Sequence, residues 1–122
     1  MLILDTNAVI GYLGNDRELI NAIDVRGAQG QEIAIATITV IEVLSFSALT
    51  PEDQNLIEGF IARAKLLDLT PTIARHAAAM RREFHLATAD AAIAATAMVH
   101  DAPLITRDKA FKKLSHLKII IA

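Results

Sequence analysis

The chain contains no cysteine, and that absence removes disulfides, thiolate zinc sites and cysteine nucleophiles together. Any metal must therefore be held by oxygen or imidazole. Long hydrophobic runs are missing too: the most apolar stretches, such as AAIAATAMV, fall well short of the roughly 20 residues that span a bilayer. No basic, apolar, small-residue leader opens the sequence, so a soluble, cytoplasmic protein with no membrane partner is expected. Repeats, low-complexity tracts and linker-like stretches are also absent. One domain over residues 1–122 is expected, large enough to bury about two-thirds of its unfolded surface without a staple. Nor is there an excess of basic charge. Lys and Arg number 12 against 14 Asp and Glu, a formal charge of −2, which by itself argues mildly against a nucleic-acid binder.

Aliphatic residues are what the chain has in plenty. Hydrophobic residues make up 53% of it and the mean hydropathy is +0.40, high enough to expect apolar surface destined for a partner. The pattern alternates. Leu2-Ile3-Leu4 reads as a strand buried on both faces, ended by Asp5. Val9, Ile10 and Leu13 then keep helical spacing up to Gly14, and Leu19, Ile20 and Ile23 mark a second helix from Asp16 to Val25. RGAQGQE is a turn, Ile33 to Ala36 a strand passing straight into a helix, and Thr50-Pro51-Glu52-Asp53 a strong helix start. LLDL reads as a short strand, Thr70-Pro71 opens a helix to about His85, and Thr88-Ala89-Asp90 opens another to about His100. APLIT, RDKAFKKL and LKIII follow as strand, short helix and strand. Five strands interleaved with helices imply a three-layer α/β/α sandwich around a mostly parallel five-stranded sheet.

In such a sheet, ligands collect beyond the carboxyl ends of the strands. Four acids fall at junctions expected there: Asp5, Glu42, Asp90 and Asp108. Each has a structural account. Thr39-Val40-Ile41-Glu42 is a capping box, Asp90 suits the first turn of its helix, and Asp5 and Asp108 are potential N-caps. Capping does not explain the apolar neighbours, however: Leu-Ile-Leu before Asp5, Ile41 and Val43 around Glu42, AAIAATA after Asp90. Carboxylates converging in such surroundings repel one another and need a cation. Oxygen ligands without Cys or clustered His favour Mg²⁺ or Mn²⁺ over zinc. Such a pocket suits phosphate esters, whose charge the ion neutralises while activating an attacking water. Neutralising four acids leaves the remainder net positive, with Arg107, Lys109, Lys112, Lys113 and Lys118 near the C-terminal end and Arg75, Arg81 and Arg82 on one helix. A groove rimmed this way can follow a nucleic-acid backbone, with Arg107 and Lys109 next to the acids.

DTNAVIGYL, TITVIEVL, DAAIAATAMVHDAPLITRD and KAFKKL, in that order, resemble the PIN-domain ribonucleases, in particular the VapC-type toxins of toxin–antitoxin pairs. The resemblance implies a Mg²⁺- or Mn²⁺-dependent endoribonuclease acting on RNA. It places Asp5, Glu42, Asp90 and Asp108 at the acids of the family motifs, Thr6 and Asn7 in the DTN motif, and Thr106 at a hydroxyl beside the site. Asp5 and Asp90 are then expected as direct ligands, Glu42 and Asp108 as acids acting through water, and Thr6, Asn7 and Thr106 as supporting hydrogen-bond partners. A homodimer silenced by an antitoxin protein is implied as well, and VLSFSALTPEDQNLIEGFIARAKLL reads as an apolar helical hairpin suited to such a contact. The chain departs from the family pattern at Ala110, where many relatives carry an acid before the aromatic, here Phe111. Asp108 is thereby the least secure of the four acids.

Two other readings compete. A phosphorelay receiver domain has a similar length and layout, but it needs paired acids after strand one and a Lys at the end of the last strand. Asp5 stands alone after LIL, and LKIIIA ends without a Lys. A non-catalytic PIN-like module that only binds protein or RNA keeps the fold and leaves the acids idle.

Overall fold

The aliphatic runs form five short strands in the computed structural model, which describes residues 1–122. They are β1 (Leu2–Leu4), β2 (Ile33–Ala36), β3 (Lys65–Leu67), β4 (Leu104–Thr106) and β5 (Ile119–Ile121). Between them lie α1 (Thr6–Leu13), α2 (Arg17–Ala28), α3 (Thr37–Leu44), α4 (Pro51–Arg63), α5 (Pro71–Phe84) and α6 (Thr88–Val99), with a 3-10 turn at Lys109–Lys113. The sheet order is β3-β2-β1-β4-β5 and every pairing is parallel, so the fold is a three-layer α/β/α sandwich with a wholly rather than mostly parallel sheet.

This order fixes which helix covers which face. The chain steps one way from β1 through β2 to β3, then crosses back to β4 and on to β5. Right-handed crossovers require the first two connections to cover one face and the last two the other. The core divides accordingly. Leu2, Leu4, Ile35 and Ile105 pack with Val9, Leu19, Ile23, Val43 and Phe60, whereas Ile3, Ala34, Ala36 and Leu104 pack with Ile73, Ala77, Met80, Ile93 and Phe111. Neighbouring strand residues enter opposite clusters because successive side chains alternate across a sheet. The change of direction falls between β1 and β4, and opens a crevice at their carboxyl ends. Asp5 and the residues after Thr106 stand there.

α6 is buried on all sides from Ala91 to Ala97, as expected of a helix apolar around its whole circumference. Its alanines allow close approach by the sheet and by α5. At the helix starts, Thr50 and Asp53 complete a capping box behind Pro51, and Thr70 accepts from the Ile73 amide at 3.2 Å. Two boundaries differ from the sequence pattern. α2 continues to Ala28, because Arg26 braces the last turn by donating to the Ala22 carbonyl (2.8 Å), and the turn is made by Gly30 at φ +87°. β3 starts at Lys65 and ends at Leu67, its register set by pairing with Ala34–Ala36. Asp68 thus falls beyond the sheet in an exposed loop, which removes the oddity of an acid inside LLDL. No helix is long and apolar enough to cross a membrane.

Candidate active site

Asp5 is 3% exposed, at the point where β1 turns into α1. One carboxylate oxygen accepts the Ala8 amide at 2.8 Å as an N-cap. The other accepts the hydroxyl of Thr106, the fully buried last residue of β4. Thr106 Oγ1 in turn accepts the Asp108 amide at 2.9 Å. The two central strands are therefore laced together at their carboxyl ends through Asp5. Capping and a site role coexist here, because each carboxylate oxygen keeps a further lone pair.

Glu42 does not form the capping box that TVIE announces. α3 begins at Thr37 directly off β2, with Ala36 as a cap whose methyl can accept no hydrogen bond. Thr39 then lies inside the helix and is fully buried. Glu42 instead accepts a hydrogen bond from Thr6 Oγ1 of α1, and the Thr6 and Thr39 hydroxyls lie 3.4 Å apart. A shallow cavity of about 400 Å³ opens here, lined by Thr6, Asn7 and Glu42 with Ile10, Ile41 and Phe46 as its apolar wall. Asn7 is exposed in the first turn of α1.

Asp90 sits in the first turn of α6, and only burial and neighbouring charges act on its carboxylate, with no hydrogen bond among them. Asp108 caps the 3-10 turn by accepting the Ala110 amide at 2.8 Å. These acids sense one another. Burial pushes the Asp5 carboxyl above its ordinary range, and the charges of Asp90 and Asp108 push it further against the bonds from Thr106 and Ala8. Asp90 is raised first by burial, then by Asp108 and Glu42. All four acids thus share one electrostatic site.

They are not closed into a cage. No group of three His, Cys, Asp or Glu side chains is close enough to enclose an ion, so the tight convergence expected from the sequence is absent. Asp5 and Asp108 each accept a backbone amide, and Glu42 accepts from Thr6. An all-oxygen, open arrangement still fits one kind of ion. Mg²⁺ commonly keeps several waters and takes only one or two carboxylates directly, whereas structural zinc needs a closed set of four ligands.

Arg107, expected at the nucleic-acid rim, is committed elsewhere. Its guanidinium is bonded to Asp16, the N-cap of α2, and lies 3.4 Å from Glu18. The pair ties the loop carrying Asp108 to the start of α2 across 91 positions. Lys109 is exposed and forms no ion pair. Arg107→Ala and Asp16→Ala should each lower the melting temperature, and a double-mutant cycle should give a coupling of about 0.5–1 kcal/mol, as for other half-exposed pairs. Zero coupling would return Arg107 to the free surface. Tyr12 faces α2 and α4: its hydroxyl donates to Asp24 at 2.9 Å and its ring lies 6.0 Å from Phe60.

The sequence matches the PIN domain family over residues 2–117. No curated protein matches it. Among solved structures, a toxin–antitoxin complex from Klebsiella pneumoniae is similar at 28% identity and a TM-score of 0.83, covering 98% of this chain and 96% of that one. VapBC2 from Rickettsia felis, bound to a DNA fragment, matches in fold at 21% identity and a TM-score of 0.83, over 99% and 98% of the two chains. VapBC-1 from nontypeable Haemophilus influenzae does so at 23% and 0.82, over 98% and 96%. With a match over nearly the whole sequence and a parallel sheet that sets acids at its central crevice, the chain belongs to the PIN domain family.

Proposed function

We propose that this protein is a Mg²⁺- or Mn²⁺-dependent endoribonuclease and the toxin of a type II toxin–antitoxin pair in the cytoplasm. The observation that carries the reading is the placement of Asp5, buried at the end of β1 and bonded to Thr106 of β4, with Asp90, Asp108 and Glu42 near enough that burial and like charge raise Asp5 and Asp90. Asp5 and Asp90 would hold the ion directly, and Glu42 and Asp108 would do so through water. When bound, the ion neutralises charge on the scissile phosphate and makes a bound water acidic enough to attack. The protein's own part is orientation. The Ala8 amide and the Thr106 hydroxyl fix both oxygens of Asp5, so its outer lone pairs keep one direction. Thr6 does the same for Glu42, leaving that carboxylate able to orient or accept a proton from water. Asp90, without an internal partner, keeps its whole carboxylate for the ion. Asn7, exposed beside Glu42, is placed to hydrogen-bond substrate or ordered water.

A protein partner fits the same reading. Phe46 and Leu56 are 52% and 50% exposed, and with Val9, Leu13, Val43 and Ile57 they line an apolar cavity of about 190 Å³ between α1, α3 and α4. The Klebsiella protein is solved as a toxin–antitoxin complex, and an antitoxin segment laying apolar side chains here would also reach the Glu42 cavity, which shares Ile10 and Phe46. A homodimer belongs to the same proposal.

Purified protein should cut a single-stranded RNA at discrete positions when Mg²⁺ or Mn²⁺ is supplied, and its antitoxin should stop the reaction. RNA left intact with both ions would leave a binding module on a PIN fold. Phe46→Asp should weaken antitoxin binding roughly tenfold or more, measured by titration calorimetry, without unfolding the protein, since the ring is already half in water.

A further inference from the structure

A second groove, of about 560 Å³, lies between α5, α6 and the start of α3 and has no part in the chemistry described above. Its lining is mostly aliphatic, Ile38, Leu69 and the alanines of α5 with the exposed Thr88 of α6, and it includes Arg81 and Arg82. Ala74, Ala78 and Arg82 follow one another at four-residue spacing, and so share one face of α5. Arg81 is fixed by its Nε, which donates to the Leu86 carbonyl at 3.1 Å. Arg82 is exposed and forms no ion pair. Basic residues in the last turn of a helix favour its dipole, but that does not account for an open apolar channel beside them.

The groove is built on the two helices, α3 and α6, that also carry Glu42 and Asp90. Ile38 lies one turn before Glu42 on the same face of α3, and Thr88 lies two residues before Asp90. We propose that this groove is a subsite for single-stranded RNA flanking the cleaved phosphate, with Arg82 on a backbone phosphate and a base lying over Ala74 and Ala78. The inference rests on the nuclease reading for its substrate. Its volume falls in the range of formed ligand sites, about 300–1,000 Å³. Two cations without acid partners complement the phosphate backbone. The aliphatic floor selects the strand type: bases in a duplex are stacked inside the helix, while those of a single strand are free to lie on a protein surface. Without an aromatic ring to stack on, and with no buried polar group to read base edges, the subsite is tolerant of sequence.

Binding of labelled oligouridylate, about 12 nucleotides long, is measured by fluorescence anisotropy in EDTA, where cleavage does not intervene. Arg82→Ala should raise Kd roughly tenfold, the loss of one charge-assisted hydrogen bond. It should also lower the slope of log Kd against log salt by about 0.7, one single-strand phosphate contact, and Arg82→Lys should restore that slope. Ala78→Ile, at an exposed position, should fill the groove without adding an aromatic face and weaken single-strand binding while leaving the circular dichroism spectrum and melting temperature unchanged. The same oligonucleotide annealed to its complement should bind more weakly and be indifferent to Ala78→Ile. Wild-type binding that is undetectable, or an Arg82→Ala variant with unchanged Kd and slope, would overturn the proposal. So would an Ala78→Ile variant that binds RNA normally but changes molar mass by light scattering, which would make the groove a contact between copies. Single-strand binding sensitive to Arg82 in a protein that cuts no RNA would support the subsite and end the nuclease reading.

Discussion

Replacing Asp90 by Asn should abolish RNA cleavage, by about 10³-fold or more, while raising the melting temperature of the metal-free protein by about 3 °C. The two effects have one origin. Asp90 is raised above the ordinary carboxylate range by burial and by the charges of Asp108 and Glu42, so the folded protein carries an unfavourable charge that a neutral amide of the same size removes. No hydrogen bond is lost in exchange, because only burial and neighbouring charges act on this carboxylate. Its place in the first turn of α6 favours a negative charge by about 0.3–1 kcal/mol, so the expected gain is what burial and neighbouring charge leave after that loss. Asp5→Asn should be equally inactive but should gain no stability. The Asp5 carboxylate accepts from Thr106, and Thr106 already accepts the Asp108 amide, so an Asn amide nitrogen would face a hydroxyl whose bonds must be rearranged. Circular dichroism melts of both variants separate the cases. Intact cleavage by Asp90→Asn, or a melting temperature that drops as much as loss of a helix-dipole contact predicts, would make Asp90 a structural acid.

The difference between those two aspartates marks where local sequence stops being informative. Strands and helix starts are local matters, and Leu2-Ile3-Leu4, Thr50-Pro51 and Thr70-Pro71 announce theirs within a few residues. Asp5 at the end of β1 was readable for the same reason. For Glu42 the local pattern marks the place but not the partner: TVIE offers a capping box, and only the tertiary approach of α1 brings Thr6, 36 positions away, to take that carboxylate. Arg107 is similar. In RDKAFKKL it looks like one cation among several, yet Asp16 and Glu18 reach it only because β4 lies beside β1 in the sheet. The strand order itself has no local signature. It alone decides that the crevice opens between β1 and β4, and hence that Asp5 and Asp108 are neighbours. The apolar neighbours of the acids did foretell strained carboxylates. They did not foretell that amides and hydroxyls would hold those carboxylates short of a closed cage.

The same strain gives the metal-free protein an unusual response to pH. In the folded state Asp5 and Asp90 hold their protons above the ordinary value of 3.8. Between 3.8 and the raised values the folded protein binds more protons than the unfolded chain, so these two groups make stability fall as pH rises through that window. Below it both states are protonated and the penalty is absent. The stability advantage of Asp90→Asn over wild type should therefore be small in acid, grow through the window and level off towards neutral pH. Measuring the variant against wild type at each pH cancels the titration of every carboxylate outside the site. Magnesium should oppose the trend, since a cation favours the charged carboxylates and competes with protons for them. At a concentration about 100-fold above its dissociation constant, the ion should stabilise wild type by about 2.7 kcal/mol at neutral pH, by much less in acid, and hardly at all in Asp90→Asn. EDTA should remove both this stabilisation and RNA cleavage. Cleavage indifferent to chelator would exclude the ion from the reaction. Stabilisation of equal size in Asp90→Asn would remove Asp90 from the ion's ligands, and stabilisation of equal size at every pH would place the ion on groups other than the raised carboxylates, since binding there would not compete with their protons.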